Sequence, residues 1–388
     1  MLKTIEFIKE NNKDWKELLS QAPYSLIIKE DNSYYLLKYN QLESDMSNDI
    51  VKECRGLIID KQTLTPKALS FLKFFNIEEP NADRISWSKC RVQEKVDGSK
   101  ILVWFDKNKW NISTSGNLDA FKTNVGDLGF TYGDLFEEGV KNAGLDLNKF
   151  FNLLNPKYCY TFELISPKSR IVIAYKKTEI RFIGLREIDS FDEVDPDIES
   201  NICQIIKRPK EFPIHSMSEC IDRASKLGLT QEGFVVVDYK WRRVKVKSPL
   251  YIQAHYLKNN SVQSQSRLLD IIESNEKDEF LSYFPEWTDK IKEIEQKYNN
   301  FKNNVIKDIK ELSTELKTIL EGCSVKELAI HIQNKYPNNQ AFLYKYFKID
   351  LPKYFVDNEY KQLTKDKKLK YLGLKEEKEV DTLVIEDE

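Results

Sequence analysis

The sequence predicts an α+β fold in which antiparallel sheets surround a cleft, followed by an all-α region. Three observations lead to this prediction. Residues 51–250 contain many short strand patterns with helical patterns between them. Between Trp287 and Leu316, apolar residues recur at spacings of three and four, which predicts one long amphipathic helix. Residues 252–370 lack the alternation of apolar and polar residues that a β-barrel requires.

The elements of the first part can be predicted in chain order. Residues 1–50 are expected to form a short helix and strands, one of them over residues 34–39. The following segment is strand-rich, with hairpin turns predicted at 106–109 and 238–241. Helices are predicted at 130–154 and 217–228.

The C-terminal part is predicted to be helical throughout. Ser324 and Glu327 have the spacing of a capping box, which predicts that a further helix begins there. The acidic residues after about Lys375 are expected to fray. We therefore predict a first domain over residues 1–250, with 1–50 as a subregion, and a helical second domain over residues 251–388.

The composition of the chain limits its function. A chain of 388 residues, 41% hydrophobic and 31% charged, can form two soluble domains. The net charge of −2 excludes a uniformly basic nucleic-acid coat, so any contact with nucleic acid must be local. Six scattered cysteines without a Cys-x-x-Cys pair argue against a zinc site or disulfide framework and favour a reducing, cytoplasmic location. No apolar run reaches the roughly 20 residues of a membrane span, so no membrane partner is expected.

The most informative motif is Lys95-Val96-Asp97-Gly98, which lies between two strand patterns. A lysine that leaves a buried strand can attack the α-phosphate of a nucleotide and hold the nucleotide as a phosphoramide. Gly98 would remove a side chain where a phosphate approaches the backbone. Such a motif by itself is common in surface turns, and its companions in the chain favour the functional interpretation.

Two lysines near residue 250 form the second motif. In a strand over residues 243–247, side chains alternate between faces, so Val244 and Val246 should pack inward. Lys245 and Lys247 should then share the opposite face, where an anion would relieve their repulsion. The alternative is the solvent-exposed face of an edge strand, which tolerates lysine.

Further charged residues lie in or beside apolar runs. Arg55 begins such a run, and Glu163 lies within another, where an unpaired carboxylate is costly unless it binds a ligand. Glu232 and Gly233 begin a third run, and Lys73 precedes two phenylalanines.

Taken together and in this order, the motifs resemble the covalent nucleotidyltransferase superfamily of polynucleotide ligases and capping enzymes. Additional matches resemble, within it, the ATP-dependent RNA ligase 1 family of the bacteriophage T4 tRNA-repair type. The resemblance covers roughly residues 34–257. The additional matches are Glu53-Cys54-Arg55-Gly56, Lys73-Phe74-Phe75-Asn76, Ser166-Pro167, Arg170-Ile171-Val172, Lys247-Ser248, Tyr251 and His255.

The resemblance implies an ATP-dependent RNA ligase. Its cofactors would be ATP, with AMP carried on Lys95, and Mg²⁺, with Mn²⁺ as a substitute. Its partner would be RNA with 5′-phosphate and 3′-hydroxyl ends, such as nicked tRNA, and the helical domain would help to select the RNA. The implied catalytic residues are Lys95, Arg55, Lys245 and Lys247. The implied ATP-binding residues are Tyr39, Arg55, Lys73, Phe75, Glu94, Asp97, Gly98, Glu163, Glu232, Lys245 and Lys247. The implied metal ligands are Glu163, Glu232 and Asp278.

The sequence also departs from related families. Lys100 stands where DNA ligases and capping enzymes commonly carry an arginine, and the absence of a predicted OB fold also argues against both. Residues 115–117 read Ser-Gly-Asn where the RNA ligase 1 pattern has Lys-Gly-Ser, so no role is assigned to that lysine. A DNA ligase, a capping-type enzyme and a non-catalytic RNA-binding relative remain as alternatives.

Overall fold

The computed structural model describes residues 2–11, 13–126, 128–228, 230–257, 265–274, 277–283, 285–318, 323–346 and 352–374. The chain forms two compact units, Met1–Lys258 and Asn259–Glu388. The predicted fraying after Lys375 lies outside the described residues.

The first unit contains fourteen strands among its described residues. They are β1 (Leu26–Glu30), β2 (Tyr34–Tyr39), β3 (Arg55–Asp60), β4 (Pro66–Ala68), β5 (Phe75–Asn76), β6 (Cys90–Glu94), β7 (Ser99–Asp106), β8 (Lys109–Thr114), β9 (Tyr158–Ile165), β10 (Glu179–Glu187), β11 (Glu193–Val194), β12 (Glu211–Phe212), β13 (Gly233–Asp238) and β14 (Arg243–Lys247). The α-helices of this unit are α1 (Lys3–Asn11), α2 (Trp15–Ser20), α3 (Asp49–Glu53), α4 (Tyr132–Asn142), α5 (Leu147–Asn152), α6 (Ser200–Cys203), α7 (Met217–Ser225) and α8 (Pro249–Leu257).

These strands form three sheets. The first has the order β1-β2-β3-β4, the second β11-β10-β9-β7-β8, and the third β12-β6-β13-β14-β5. All neighbouring strands are antiparallel except β5 and β14, which run parallel. The α+β architecture with antiparallel sheets is therefore confirmed, as are both hairpins, β7–β8 and β13–β14.

Each sheet buries one face under helices. The first packs against α1 and α2 through Ile8, Trp15 and Leu19, and its other face contacts the second sheet around Trp104. Helices α4 and α5 cover one face of the second sheet, and α7 covers one face of the third. Part of the helix-free face of the second sheet and the helix-free face of the third sheet line a cleft.

The helix predictions for this unit are confirmed with one correction. A single helix over residues 130–154 is wrong, because α4 ends at Asn142 and α5 begins only at Leu147. Between them Gly144 adopts φ +89°, a left-handed conformation that ends a helix. The other predicted helix corresponds to α7, and α8 crosses the predicted domain boundary after residue 250.

The described part of the second unit contains only helices. They are α9 (Gln265–Glu273), α10 (Lys277–Tyr283), α11 (Thr288–Thr318), α12 (Val325–Lys335), α13 (Gln340–Tyr346), α14 (Pro352–Lys361) and α15 (Lys365–Tyr371). The predicted long helix is α11. The predicted capping box at the start of α12 is present, since the Ser324 hydroxyl accepts from the Glu327 N–H and the Glu327 carboxylate accepts from the Ser324 N–H. In the described residues, no helix combines the length and apolar character needed to cross a membrane.

Candidate active site

Lys95 lies at a crossing between two sheets. Strand β6 of the third sheet ends at Glu94, and β7 of the second sheet begins at Ser99, so the intervening loop carries the lysine past the cleft. The Lys95 N–H donates to the Gly233 carbonyl at 2.9 Å, which fixes the start of this loop. Its side chain lines a cleft of about 270 Å³ between the two sheets.

The Lys95 amine is held by a buried carboxylate. Its Nζ lies 2.6 Å from Oε1 of Glu232, whose side chain is only 4% exposed. Glu232 immediately precedes Gly233, where a side chain is excluded because a Cβ would lie 2.2 Å from the Val246 carbonyl oxygen. The close approach of β13 and β14 at this glycine therefore places Glu232 beside both Lys95 and, at 3.9 Å, Lys247.

One wall of the cleft carries the paired lysines. Val244 and Val246 are buried against α7, and Lys245 and Lys247 line the cleft on the opposite face of β14. The predicted facing of this strand is therefore confirmed. Three lysine side chains thus line one cleft, and Glu232 forms ion pairs with two of them, Lys95 and Lys247, so several cations lie along this wall.

The opposite wall contains Arg55, Lys100 and Glu163. The Arg55 guanidinium lies 5.1 Å from the centre of the Phe74 ring, and its Nη1 is buried without a hydrogen-bond partner in the described residues. Lys100 donates to the Arg55 carbonyl oxygen at 3.3 Å and to the Ser70 hydroxyl. Burial lowers the pKa of Lys100 well below its ordinary value, and the charge of Arg55 lowers it further. An unpaired buried donor at the cleft indicates a place for an acceptor such as a phosphate oxygen.

Glu163 is the carboxylate of this wall. It pairs in register with Lys100 between β9 and β7, so both side chains lie on the cleft face of the second sheet. Burial raises the pKa of Glu163 to about 7, an effect that Lys95 and Lys100 partly offset and Glu232 reinforces. A carboxyl group that carries this cost at a cleft is a candidate functional residue.

Asp97 does not line the cleft, and its assignment to ATP binding stays a prediction. One carboxylate oxygen accepts from the backbone N–H groups of Val172 and Ile173 at 3.0 and 2.7 Å, and the other accepts from the Tyr251 hydroxyl at 2.8 Å. These hydrogen bonds connect the loop that carries Lys95 to residues 172–173 and to α8.

Gly98 does line the cleft, but the structure gives it a different reason from the one predicted. A Cβ at residue 98 would lie 2.4 Å from the Leu164 carbonyl oxygen and 2.9 Å from the Ile165 side chain. The glycine is thus required by the close approach of β9. Glu94, the other predicted neighbour of Lys95, also lines the cleft.

Tyr39, Lys73 and Phe75 form a separate cluster beside Arg55. The Lys73 amine lies 5.4 Å from the centre of each of the two rings. Burial acts to raise the pKa of Tyr39, but Lys73 and Arg55 together lower it. These three residues are not among those that line the cleft, and their assignment to ATP binding stays a prediction.

Asp278 lies on α10 of the second unit with an exposed side chain, and its role as a metal ligand stays a prediction. Within the described ranges, no group of three or more His, Cys, Asp or Glu side chains could hold a metal ion by itself. Of the predicted metal ligands, Glu163 lines the cleft and Glu232 lies beside Lys95.

Several lining residues were not among the predicted site residues. Phe74 and Arg243 belong to motifs noted in the sequence. Their position in the cleft, however, depends on contacts with residues of other segments. Arg243 lies 4.1 Å from the centre of the Phe71 ring and forms an ion pair with Glu193 at 2.6 Å. No local pattern predicts this stack. The other unpredicted lining residues are Phe71, Gln93, Val96, Lys100, Ile183, Pro209 and Val235.

Comparison with known proteins bears on this geometry. A family model described as RNA ligase matches residues 53–251. A protein of Autographa californica nuclear polyhedrosis virus, named as a bifunctional polynucleotide kinase/RNA ligase, is 29% identical over 287 residues, which are 70% of this chain and 40% of the viral protein. An RNA ligase of Rhodothermus phage RM378 is 23% identical over 341 residues, which cover 72% of this chain and 76% of the phage protein.

An archaeal ATP-dependent RNA ligase has 16% identity and a TM-score of 0.44, with 65% of each chain covered. The family match spans more than half of the chain and contains Arg55, Lys95, Glu163, Glu232 and the paired lysines. It confirms the resemblance inferred from the motifs: the chain belongs to the RNA ligase family.

Proposed function

We propose that this protein is an ATP-dependent RNA ligase that joins a 5′-phosphate to a 3′-hydroxyl through AMP held covalently on Lys95. The observation that carries the proposal is the setting of the Lys95 amine. It lies 2.6 Å from Glu232 in a cleft that Arg55, Lys245 and Lys247 also line. A nucleophile, an adjacent base and a set of cations for phosphates are the parts that nucleotidyl transfer requires.

In the first step, the Lys95 amine attacks the α-phosphorus of ATP. The N–P bond forms as the bond to the β-phosphate oxygen breaks, and pyrophosphate leaves. The amine must be unprotonated to attack, and Glu232 is within hydrogen-bond distance to accept its proton. The product is AMP joined to Lys95 by a phosphoramide bond.

The cations of both walls offset the charge of the triphosphate. Lys245 and Lys247 act from β14, and Arg55 acts from the start of β3 with its unpaired Nη1 available to a phosphate oxygen. Charge-assisted hydrogen bonds of this kind hold the phosphates in line for attack. Lys100 keeps Arg55 in place through the Arg55 carbonyl oxygen.

The residues of the cleft fit a divalent cation. Magnesium commonly binds one or two carboxylates together with substrate phosphates, and Glu163 and Glu232 supply two carboxylates here. Bound Mg²⁺, or Mn²⁺ in its place, would supply further positive charge to the phosphates. The raised pKa of Glu163, about 7, would fall once positive charge lies beside it.

Two further transfers complete the reaction. AMP passes from Lys95 to the 5′-phosphate of an RNA end, which gives a 5′-5′ pyrophosphate linkage. The 3′-hydroxyl of the other end then attacks that linkage, forms the phosphodiester and releases AMP. The proposal places this reaction in the cytoplasm, in the repair of nicked RNA such as tRNA.

The proposal is tested by covalent labelling. Protein incubated with Mg²⁺ and ATP labelled at the α-phosphate should acquire label that survives denaturation, and labelled GTP should give none. Lys95→Ala should abolish the label, whereas Lys157→Ala, at an exposed lysine away from the cleft, should keep it. Label on the Lys95→Ala protein would contradict the assignment, and label from GTP alone would indicate a capping-type enzyme.

The substrate is tested with purified ends. The wild-type protein should join single-stranded RNA that carries a 5′-phosphate and a 3′-hydroxyl, and should fail when either group is missing. Sealing of nicked DNA without joining of RNA would identify a DNA ligase instead. Binding of RNA without any lysyl-AMP would identify the non-catalytic alternative.

A further inference from the structure

A larger cavity lies entirely within the helical unit. Its volume is about 1070 Å³, and its walls are formed by α11, the segment from residue 337 to 345, and the segment from residue 363 to 372. Motifs of the RNA ligase family lie outside these segments, since the family match ends at residue 251. We call this cavity the helical groove.

One wall of the helical groove is basic. The lysines of helix α15 lie in two different environments. Lys365 and Lys368 form ion pairs with Asp270 and Glu273 of α9. Lys367 and Lys370 are exposed and line the groove. Among the residues that the structure describes, Lys367 and Lys370 have no acidic partner within ion-pair distance.

Two further lysines line the groove, and each forms an ion pair with a glutamate. Lys297 pairs with Glu293 at 2.9 Å, and Lys345 pairs with Glu359. Glu359 is the single carboxylate among the described lining residues, against four lysines. In a chain whose net charge is −2, this local excess of positive charge favours a polyanion.

The opposite wall carries several uncharged amides between Lys297 and Lys345. Asn300 and Asn304 lie one turn apart on α11 with exposed side chains, and Asn338 and Gln340 line the groove from the α13 side. An amide offers both donors and an acceptor, as the edges of nucleic-acid bases do. A site for a simple anion would need donors only.

Aromatic rings complete the lining. The Tyr344 ring is 42% exposed, and the half-buried Tyr371 ring is held in place by Phe301 and Phe342, with ring centres 5.2 and 5.7 Å away. Rings that are at least partly exposed and lie beside lysines are features on which unpaired bases stack. Paired bases would hide the edges that the amides could contact.

We infer that the helical groove binds a single-stranded segment of RNA, with phosphates along α15 and base edges toward α11. This inference rests on the proposed function, which makes RNA the substrate. It adds a site, a strand state and an orientation that the cleft around Lys95 does not specify.

The phosphate contacts are tested by the salt dependence of binding in the full-length protein. Binding of a short fluorescent single-stranded RNA is followed by anisotropy over a range of salt concentrations. The double variant Lys367→Gln/Lys370→Gln should bind the RNA more weakly. The negative slope of the logarithm of the association constant against the logarithm of the salt concentration should become shallower by about 1.4, roughly 0.7 for each lost phosphate contact.

The matched control changes two lysines of α11 that are exposed and do not line the groove, Lys292→Gln with Lys310→Gln. This protein should keep the wild-type slope. Equal slopes for both double variants, with unfolding curves like the wild type, would overturn the inference. A loss confined to the groove variant would support it.

The base contacts are tested with abasic RNA and with duplex RNA of equal length. The wild-type protein should bind intact single strands about five-fold or more better than abasic ones, as expected for one or two base-edge contacts. In Asn300→Ala/Asn304→Ala this preference should shrink. Equal binding of intact and abasic RNA, or preference for the duplex, would make the groove a general polyanion site and overturn the inference. Lysyl-AMP formation by the wild-type protein is measured in parallel, and its absence would refute the proposed function without deciding this question.

Discussion

The cleft and the helical unit differ in how their buried charged groups are compensated. In the helical unit, Lys302 and Asp357 are buried as an ion pair, and the Glu315 carboxylate is bound by His331, Lys335 and Tyr336. In the cleft, Arg55 has a buried nitrogen without a partner, Lys100 has a strongly lowered pKa, and Glu163 has a raised one.

The difference separates charges that serve the fold from charges that await a ligand. In a buried ion pair each charge is compensated by the other, and removing one partner is costly. A buried charge without full compensation destabilises the free protein, and binding of the complementary ligand relieves that cost. The following predictions compare these two kinds of charge.

The largest effect is expected for the cationic wall. Lys245→Ala or Lys247→Ala should slow lysyl-AMP formation about 10²–10³-fold, because each removes a charge placed for the phosphates. The measurement is the rate of labelling with α-labelled ATP. Val246→Ala, on the opposite face of the same strand, should instead lower the free energy of unfolding by about 2 kcal/mol. A well-folded Val246→Ala protein without labelling, beside active lysine variants, would contradict the assignment of faces.

The helical unit should show the opposite response when a buried pair is broken. Lys302→Ala leaves Asp357 buried without its partner and should lower the free energy of unfolding by about 3 kcal/mol, measured by urea denaturation. The double change Lys302→Met/Asp357→Leu should recover most of that loss. Lysyl-AMP formation well below the unfolding transition should stay at the wild-type rate. A strong loss of labelling in the folded variant would contradict the assignment of this ion pair to stability rather than to chemistry.

Glu163→Gln should stabilise the free protein at alkaline pH. The pKa of Glu163 is about 7 in the folded state and about 4.5 ordinarily, so between these values the folded protein binds more protons and stability falls as pH rises. The free energy of unfolding of the variant should exceed that of the wild type by roughly 1–3 kcal/mol at pH 8. At pH 4.5 the two free energies should be nearly equal. Unfolding curves at both pH values, with the exposed Glu10→Gln as a control, provide the measurement. A constant difference at both pH values would refute the assignment of this titration to Glu163.

The smallest effect is expected at the start of α12. Ser324→Ala removes the side-chain acceptor of the capping box and should lower the free energy of unfolding by about 1 kcal/mol. Ser324→Asp, which keeps an acceptor, should restore most of it. Thermal unfolding of the three proteins tests this, and equal midpoints would show that the cap contributes nothing.

The sequence predicted the parts of the cleft that local periodicity controls. The alternation in β14 placed Lys245 and Lys247 on one face, and the apolar run around Glu163 marked a carboxylate with an unusual environment. These inferences succeed because side-chain direction in a strand depends only on position along that strand.

The remaining parts depend on contacts between distant segments. Strand β5 pairs in parallel with β14, and Arg243 at the start of β14 stacks on Phe71, a pair 172 positions apart that no local pattern joins. The contacts of Asp97 could not be predicted for a related reason, since its hydrogen-bond partners Val172, Ile173 and Tyr251 come from later segments. Tertiary partners decide which polar residues remain available to a ligand.

The contact between Lys95 and Glu232 also bears on covalent chemistry outside the reaction cycle. An amine held against a carboxylate and only 21% exposed is a poor target for electrophiles that modify surface lysines. Lys367 and Lys370 have no such protection among the described residues. Acylating reagents and reactive metabolites should therefore modify the exposed lysines first, and should modify Lys95, the nucleophile of the proposed reaction, more slowly.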